Sequence, residues 1–243
     1  MSKFHVGAVG LGVSGRIFRG VNLEFPGLPL QQSIHAEQFM ITNAMLHGER
    51  ALKAIAVSAA PCGHCRQFMC ELPDSGKLKI LIVDSHAEES TLEQLLPHRF
   101  GPHDLKEDAF PLLLAERDNR LELEDEDGSE GSRELREAAL EAANKSYAPY
   151  LDCPSGLAIR TAGGKVYSGS YIESAAHNPS MSPLHCALVA AVALGGESFV
   201  DIREATLVEK RVAQTEHAEI MKISLAKIAP QARLAVSYAR RKL

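Results

Sequence analysis

Ser33-Ile34-His35-Ala36-Glu37-Gln38 and Pro61-Cys62-Gly63-His64-Cys65-Arg66 are the stretches on which the reading of this 243-residue chain turns. Together they supply one imidazole, two thiols and one carboxylate, in the order H-x-E and then P-C-x-x-C. Zinc takes thiolate sulfur and neutral imidazole in tetrahedral geometry, and a catalytic site keeps three protein ligands with the fourth position open to water. His35, Cys62 and Cys65 make three. Two cysteines three positions apart can grip one ion at the start of a helix, where Pro61 is well placed and unpaired N–H groups favour the thiolate.

Glu37 follows His35 by two residues, so on a helix it points roughly 200° away around the axis, unlike a second ligand at i+3 or i+4. A carboxylate near the metal but not on it suits acid/base work. Two thiolates cancel the formal charge of Zn²⁺ and so weaken its effect on bound water, which makes the neighbouring base more useful; Arg66 can offset thiolate charge from behind. For the cysteine pair taken alone, a structural zinc site or a redox pair are the alternatives, because C-x-x-C is common.

The rest of the composition narrows the function. A chain of this length permits one large domain or two small ones. The net charge of −5 and pI near 6.1 argue against a surface built for polyanions, and the chain has no Trp. That favours a small-molecule substrate over nucleic acid. Five cysteines, an odd number, fit a reducing compartment. The opening residues Met1-Ser2-Lys3-Phe4-His5 start no long apolar run, and the longest apolar stretch, Cys186 to Leu194, is too short to span a bilayer. A cytoplasmic protein with no membrane partner is expected.

Along the chain, residues 4 to 25 read as a β-hairpin about a glycine-rich turn. That turn contains Gly10-Leu11-Gly12-Val13-Ser14-Gly15, which matches the dinucleotide fingerprint G-x-G-x-x-G but runs into a strand-like segment rather than opening a helix. Gln31 to His47 reads as a helix with Ser33 as N-cap and His35 in its first turn. Leu52 to Ala59 and Lys79 to Val83 read as strands. The ligands are then expected from the first turns of two neighbouring helices. His64, between the cysteines, is expected to face away from the metal.

An acidic run, Glu122 to Asp127, precedes Gly128-Ser129-Glu130-Gly131-Ser132 and reads as a solvated linker. The expected division is residues 1–115, a linker over 116–132, and residues 133–243. Beyond the linker the chain repeats itself. Gly164-Lys165-Val166-Tyr167-Ser168-Gly169 lies on Gly15-Arg16-Ile17-Phe18-Arg19-Gly20 without a gap, at an offset of 149. The same offset carries His35 to Leu184, Glu37 to Cys186, and Cys62 and Cys65 to Arg211 and Gln214. The copy keeps the frame without the ligands, so a second, catalytically dead domain is expected, with Leu184 to Leu194 as its buried helix and Ala205 to Val208 in its matching strand.

The paired H-A-E and P-C-G-H-C-R-Q motifs resemble those of the cytidine deaminases, specifically the dimeric two-domain type, and the resemblance runs over nearly the whole chain. It implies a three-layer α/β/α fold with a mixed sheet, duplicated, and one zinc ion per chain. It implies hydrolysis of cytidine and deoxycytidine to uridine and deoxyuridine in pyrimidine salvage, by zinc-activated water with Glu37 as proton shuttle. The family's G-x-N-x-E segment matches Gly20-Val21-Asn22-Leu23-Glu24, which implies that Asn22 and Glu24 hold the ribose. Its F-x-V-G-A segment matches Phe4 to Ala8, which implies Phe4 as the stacking surface for the base, with the backbones of Ala36 and Ala60 at the base edge.

Relatives of this type carry a helix before that strand, whereas this chain starts almost on it; its second repeat keeps the equivalent helix at Arg133 to Lys145. One sheet face is therefore expected to be under-covered. A homodimer acting on a nucleoside, without nucleic acid or membrane, is the expected assembly. The alternatives are a polynucleotide cytosine deaminase, which would need basic and aromatic residues tracking a strand, and an inactive truncated dimerisation partner.

Overall fold

The computed structural model describes residues 1–83, 88–106, 110–124 and 132–242. Its chain divides into two compact units, the first comprising Met1–Glu24, Pro29–Glu116 and Glu173–Ser180, the second Phe25–Leu28, Arg117–Ile172 and Met181–Leu243.

In the first unit, β1 (Gly7–Gly12) and β2 (Ile17–Val21) form the expected hairpin, with Ala8 opposite Gly20. Gly15 takes the positive φ of +85° that the turn needs. The G-x-G-x-x-G match is thus a hairpin turn that opens no helix. β3 (Leu52–Val57) lies antiparallel to β1, β4 (Lys79–Ile82) parallel to β3, and β5 (Glu88–Thr91) antiparallel to β4, giving the mixed order β2-β1-β3-β4-β5. The parallel pair requires a crossover, and α2 (Gly63–Met69) supplies it. The helix α1 (Ala36–Leu46) lies between β2 and β3 in sequence, and the short helices α3 (Leu92–Leu95) and α4 (Pro102–Leu105) follow β5.

Gly20 positions α1. A Cβ there would lie 2.2 Å from the Ala36 carbonyl and 2.5 Å from the Met40 nitrogen, so the helix can approach β2 this closely because position 20 has no side chain. Phe18, Ile55, Val57 and Ile80 fill the core beneath.

The second unit repeats the plan. β6 (Leu121–Leu123) leads into α5 (Arg133–Asn144), then β7 (Ser155–Thr161), β8 (Val166–Ser170), α6 (Pro183–Ala190), β9 (Ile202–Lys210), α7 (Ala218–Ile228) and β10 (Arg233–Arg241). The sheet order is β6-β10-β9-β7-β8, with β9 and β10 the parallel pair. α5 and α6 cover opposite faces of it. A Cβ on Gly156 would meet the Ala143 nitrogen of α5 at 2.3 Å, and one on Gly169 would meet the Ala187 nitrogen of α6 at 2.0 Å. Gly7, which matches Gly156, has nothing within 4 Å of such a Cβ. The outer face of the first sheet exposes Val9, Leu11, Ile17, Val21 and Leu81.

Three sequence readings change. Within the stretch expected as linker, Leu121–Leu123 is an edge strand against β10: Leu121 is buried against Leu135 and Ala139 of α5, while Glu122 pairs outward with Arg240 at 3.1 Å. Alternation at period two decided this segment, and the charge run masked it. Residues 125–131 of that stretch lie outside the described residues.

The repeat also slips. Leu23 bridges Ile34 and Ile172 bridges Met181, so the second copy is two residues shorter between strand and helix. Structurally His35 matches Ser182 and Glu37 matches Leu184, one the N-cap of α6 and the other buried, and neither a copy of its counterpart.

The buried helix over Leu184 to Leu194, finally, is α-helical to Ala190. It then widens into a π-turn over Ala191–Gly195 that ends at Gly196 with φ +63°.

Candidate metal centre

His35 is the N-cap of α1 (φ −80°, ψ 155°), one turn-position earlier than a first-turn residue and in place of Ser33, which caps nothing there. Its extended backbone turns the imidazole back toward α2, and its N–H is satisfied by Gln38 Oε1 at 3.2 Å. Cys62 is likewise the N-cap of α2, and Cys65 lies in that helix's first turn. Two helix N-termini thus meet at one point, where their unpaired N–H groups favour negative charge.

His35 Nδ1 stands 3.4 Å from Cys62 Sγ and 3.3 Å from Cys65 Sγ, and the three ligand atoms lie within 4.8 Å of one another. Tetrahedral zinc with bonds of roughly 2.0–2.1 Å to nitrogen and 2.3 Å to sulfur requires N···S separations of about 3.5 Å. The side chains fit that ion as they stand.

The proton inventory fits as well. The Cys62 thiol is pulled down to about 3, by the hydrogen bond with Cys65 first and that with His35 second. Cys65, fully buried, is pushed up by the same bond and by desolvation. His35 is raised, chiefly by its bond to Cys62. A dication at this point displaces the protons that the three groups otherwise share.

Glu37 is 4 % exposed and does not join the ligand set; its Oε2 lies 3.3 Å from Cys65 Sγ. Arg66, expected to offset thiolate charge, donates to the carbonyls of Pro61 (2.7 Å) and Leu95 (2.6 Å), bracing the turn that presents Cys62. His64, expected to face away, stacks on His35 with ring centroids 5.1 Å apart, and burial lowers its pKa.

A cavity of about 320 Å³ opens on this centre. Its lining brings together Phe4, Asn22, Glu24, His35, Ala36, Glu37, Ala60 and Cys62. The buried Cys65 stays behind it. Asn22 and Glu24 already have partners: Asn22 accepts from Val6 N (2.9 Å) and donates to the Phe4 carbonyl (2.9 Å), while Glu24 accepts from Ser2 N (2.6 Å) and Ser2 Oγ (2.5 Å). Those bonds hold the Glu24 carboxyl at about 2. The sequence reading missed Ser2 and Val6 as lining residues, and Gln38 as the cap of His35. For Gln38 a signal existed, since Gln at the third helical position is the far half of a capping box.

Cytidine and deoxycytidylate deaminase zinc-binding regions match this chain over residues 1–80 and again over residues 92–222. It is 50 % identical over 248 residues to cytidine deaminase 1 of Arabidopsis thaliana, covering 95 % of this chain and 82 % of that one. It is 46 % identical over 245 residues to cytidine deaminase 6 of the same plant, covering 95 % and 83 %. To the cytidine deaminase of Vibrio parahaemolyticus serotype O3:K6 it is 42 % identical over 217 residues, covering 89 % and 70 %. With two zinc-binding-region matches laid end to end and a three-ligand centre at the tips of two helices, the chain belongs to the cytidine and deoxycytidylate deaminase family.

Proposed function

We propose that the chain removes the 4-amino group of cytidine and deoxycytidine hydrolytically, with His35, Cys62 and Cys65 as zinc ligands and Glu37 as the acid/base. The observation that carries this reading is that His35, Glu37 and Cys62 line one cavity of nucleoside size, within the range of small-molecule sites of roughly 300–1,000 Å³, with Cys65 Sγ buried behind it at 3.3 Å from His35 Nδ1. Zinc held there supplies a Lewis acid that makes a water nucleophilic near neutral pH. Glu37 takes the proton that this water gives up as its oxygen bonds to C4. The same carboxyl delivers that proton to N3, then takes the remaining proton of the added hydroxyl as C4=O forms and passes it to the departing amine, so that C4–N breaks and ammonia leaves. Its burial keeps bulk water from competing for that proton.

Phe4 offers an aromatic face at the cavity mouth. The backbones of Ala36 and Ala60 border the place where the base edge would sit. Glu24 and Asn22 supply the polar end for the sugar: the Ser2 hydroxyl on Glu24 occupies the position of a sugar hydroxyl, and a nucleoside would exchange with it. Arg66 acts through the Pro61 carbonyl on the presentation of Cys62.

On this reading residues 1–115 contain the catalytic part and residues 133–243 a copy without ligands, consistent with Ser182 and Leu184 at the positions of His35 and Glu37. A homodimer and a cytoplasmic location belong to the same reading. The five free cysteines support the second, and no helix among the described residues is long and apolar enough to cross a membrane. The test is the ultraviolet absorbance change of cytidine with the zinc-loaded chain, with ammonia measured in the same tube. Turnover on cytidine is expected, and turnover confined to single-stranded polynucleotide would replace this reading.

A further inference from the structure

We propose that Glu173–Ser180 is a strap that sets the spacing of the two ligand-bearing helices, and that Gln38 and Glu71, the residues it holds, are positioning residues for the zinc ligands. The inference rests on the reading of His35, Cys62 and Cys65 as a zinc site.

The segment belongs to the first unit although it lies far along the chain. Gln38, in the first turn of α1, is 3 % exposed and uses both ends of its amide. Its Oε1 accepts the His35 N–H at 3.2 Å, and its Nε2 donates to the Pro179 carbonyl at 3.0 Å. Glu71 follows Cys70, the C-cap of α2, and is fully buried; its Oε1 accepts the Ala175 N–H at 2.7 Å. One short segment is therefore bonded to the first turn of the helix capped by His35 and to the residue just past the C-cap of the helix that carries Cys65.

The strap is braced against itself. Ser174 N donates to Ser180 Oγ at 2.9 Å, His177 N to the Ser174 carbonyl at 2.8 Å, and Ser180 N to the His177 carbonyl at 3.0 Å. His177 holds a φ of +61°, a left-handed turn that fixes the path between the two anchor points. Between Ala175 and Pro179 the chain cannot exceed roughly 14 Å even when extended, so it acts as a spacer of set length.

The need for a spacer follows from the ligand set. His35 comes from one helix and the two cysteines from another, so any slide between helices changes the N···S distances directly. Metal sites tolerate deviations of about 0.2 Å in their bonds. A buried carboxylate and a buried amide cost free energy unless hydrogen-bonded, and here both are bonded to the same segment. Neither residue itself lines the cavity; Gln38 reaches it through the His35 N–H.

The experiment uses the full chain with Gln38→Met, Glu71→Leu and Glu71→Gln, and measures zinc affinity by competition with a chromophoric chelator, together with melting temperature, kcat and KM. Gln38→Met and Glu71→Leu are expected to weaken zinc binding roughly 10- to 100-fold, the usual effect of removing groups that orient metal ligands, and to lower kcat more than they raise KM. Glu71→Gln keeps an acceptor for Ala175 N–H and is expected to restore zinc affinity and kcat.

Variants that melt earlier yet hold zinc with the parent's affinity would overturn the proposal. Should Gln38→Met not fold, Gln38→Glu decides the matter, since it keeps the acceptor for His35 N–H and loses the donor to Pro179. It is expected to show the same loss, and unchanged affinity overturns the strap. A folded parent chain that binds no zinc would overturn the metal reading itself, and the strap's role with it.

Discussion

Glu37 Oε2 lies 3.3 Å from Cys65 Sγ, so the acid/base and a metal ligand share a contact while remaining different kinds of group. The two are therefore separable by mutation. Glu37→Gln should leave zinc content near one per chain and lower kcat by roughly 10²–10⁴-fold, the range for removal of a general acid/base. Cys65→Ala should lose the metal, measured by atomic absorption, and activity with it. Activity within tenfold of the parent in Glu37→Gln, by about the low end of that range, would place the proton shuttle elsewhere.

Glu24 is already an acceptor for a hydroxyl, that of Ser2 at 2.5 Å. Loss of a hydrogen bond to a charged group is worth about 1.5–3 kcal/mol, so Glu24→Gln should raise KM for cytidine by roughly 10- to 150-fold with a smaller effect on kcat. Asn22→Ala removes bonds to Val6 and Phe4 and should act in the same direction by loosening the cavity wall. Steady-state kinetics with unchanged KM in both variants would remove the sugar from this end of the cavity.

Two glycines on neighbouring strands should respond oppositely. Gly20→Ala places a methyl 2.2 Å from the Ala36 carbonyl, which belongs to backbone and cannot swing aside, so a loss of about 1–3 kcal/mol is expected along with displaced α1 and reduced zinc affinity. Gly7→Ala meets nothing within 4 Å and should be neutral or slightly stabilising, by up to about 1 kcal/mol from reduced freedom of the unfolded chain. Thermal melts of the two single variants test both.

In the second unit His217 is lowered to about 4 by desolvation, its ring 4.4 Å from that of Tyr171. Because the folded value lies below the ordinary one of about 6.5, the unfolded chain binds more protons between pH 4 and 6.5, and stability falls as pH drops through that window. Glu209, which accepts the His217 N–H at 2.8 Å and has Glu216 beside it, is raised by burial and offsets part of this loss on the acid side. His217→Phe should flatten the decline by on the order of 3 kcal/mol or less, read from denaturant melts at pH 7, 5.5 and 4.5. A variant that declines as steeply as the parent removes His217 as its source.

Much of this protein is local chemistry and was therefore readable along the chain. The ligand trio, the carboxylate beside it, both hairpins, α5 and the duplication all rest on residue type and spacing within short windows. The errors were local too. Ser33 looked like the better cap, yet His35 takes that place because Gln38 supplies its N–H with an acceptor and the metal geometry needs the imidazole at the tip. The charge run around Glu122 hid the Leu121/Leu123 alternation, and a loop two residues shorter shifted the match to α6.

By itself, then, the sequence determined which atoms can bind a metal, that they come from near the starts of two helices, and that the second copy lacks them, because these depend on side-chain chemistry and local backbone preference. Tertiary structure alone decided that Arg66 grips the carbonyls of Pro61 and Leu95, that His64 stacks on His35, and that Glu24 holds Ser2. It also decided that residues 173–180 anchor on Gln38 and Glu71. Contacts between residues from about twenty to more than a hundred positions apart depend on how sheets and helices pack, and no pattern of spacing within either stretch encodes them.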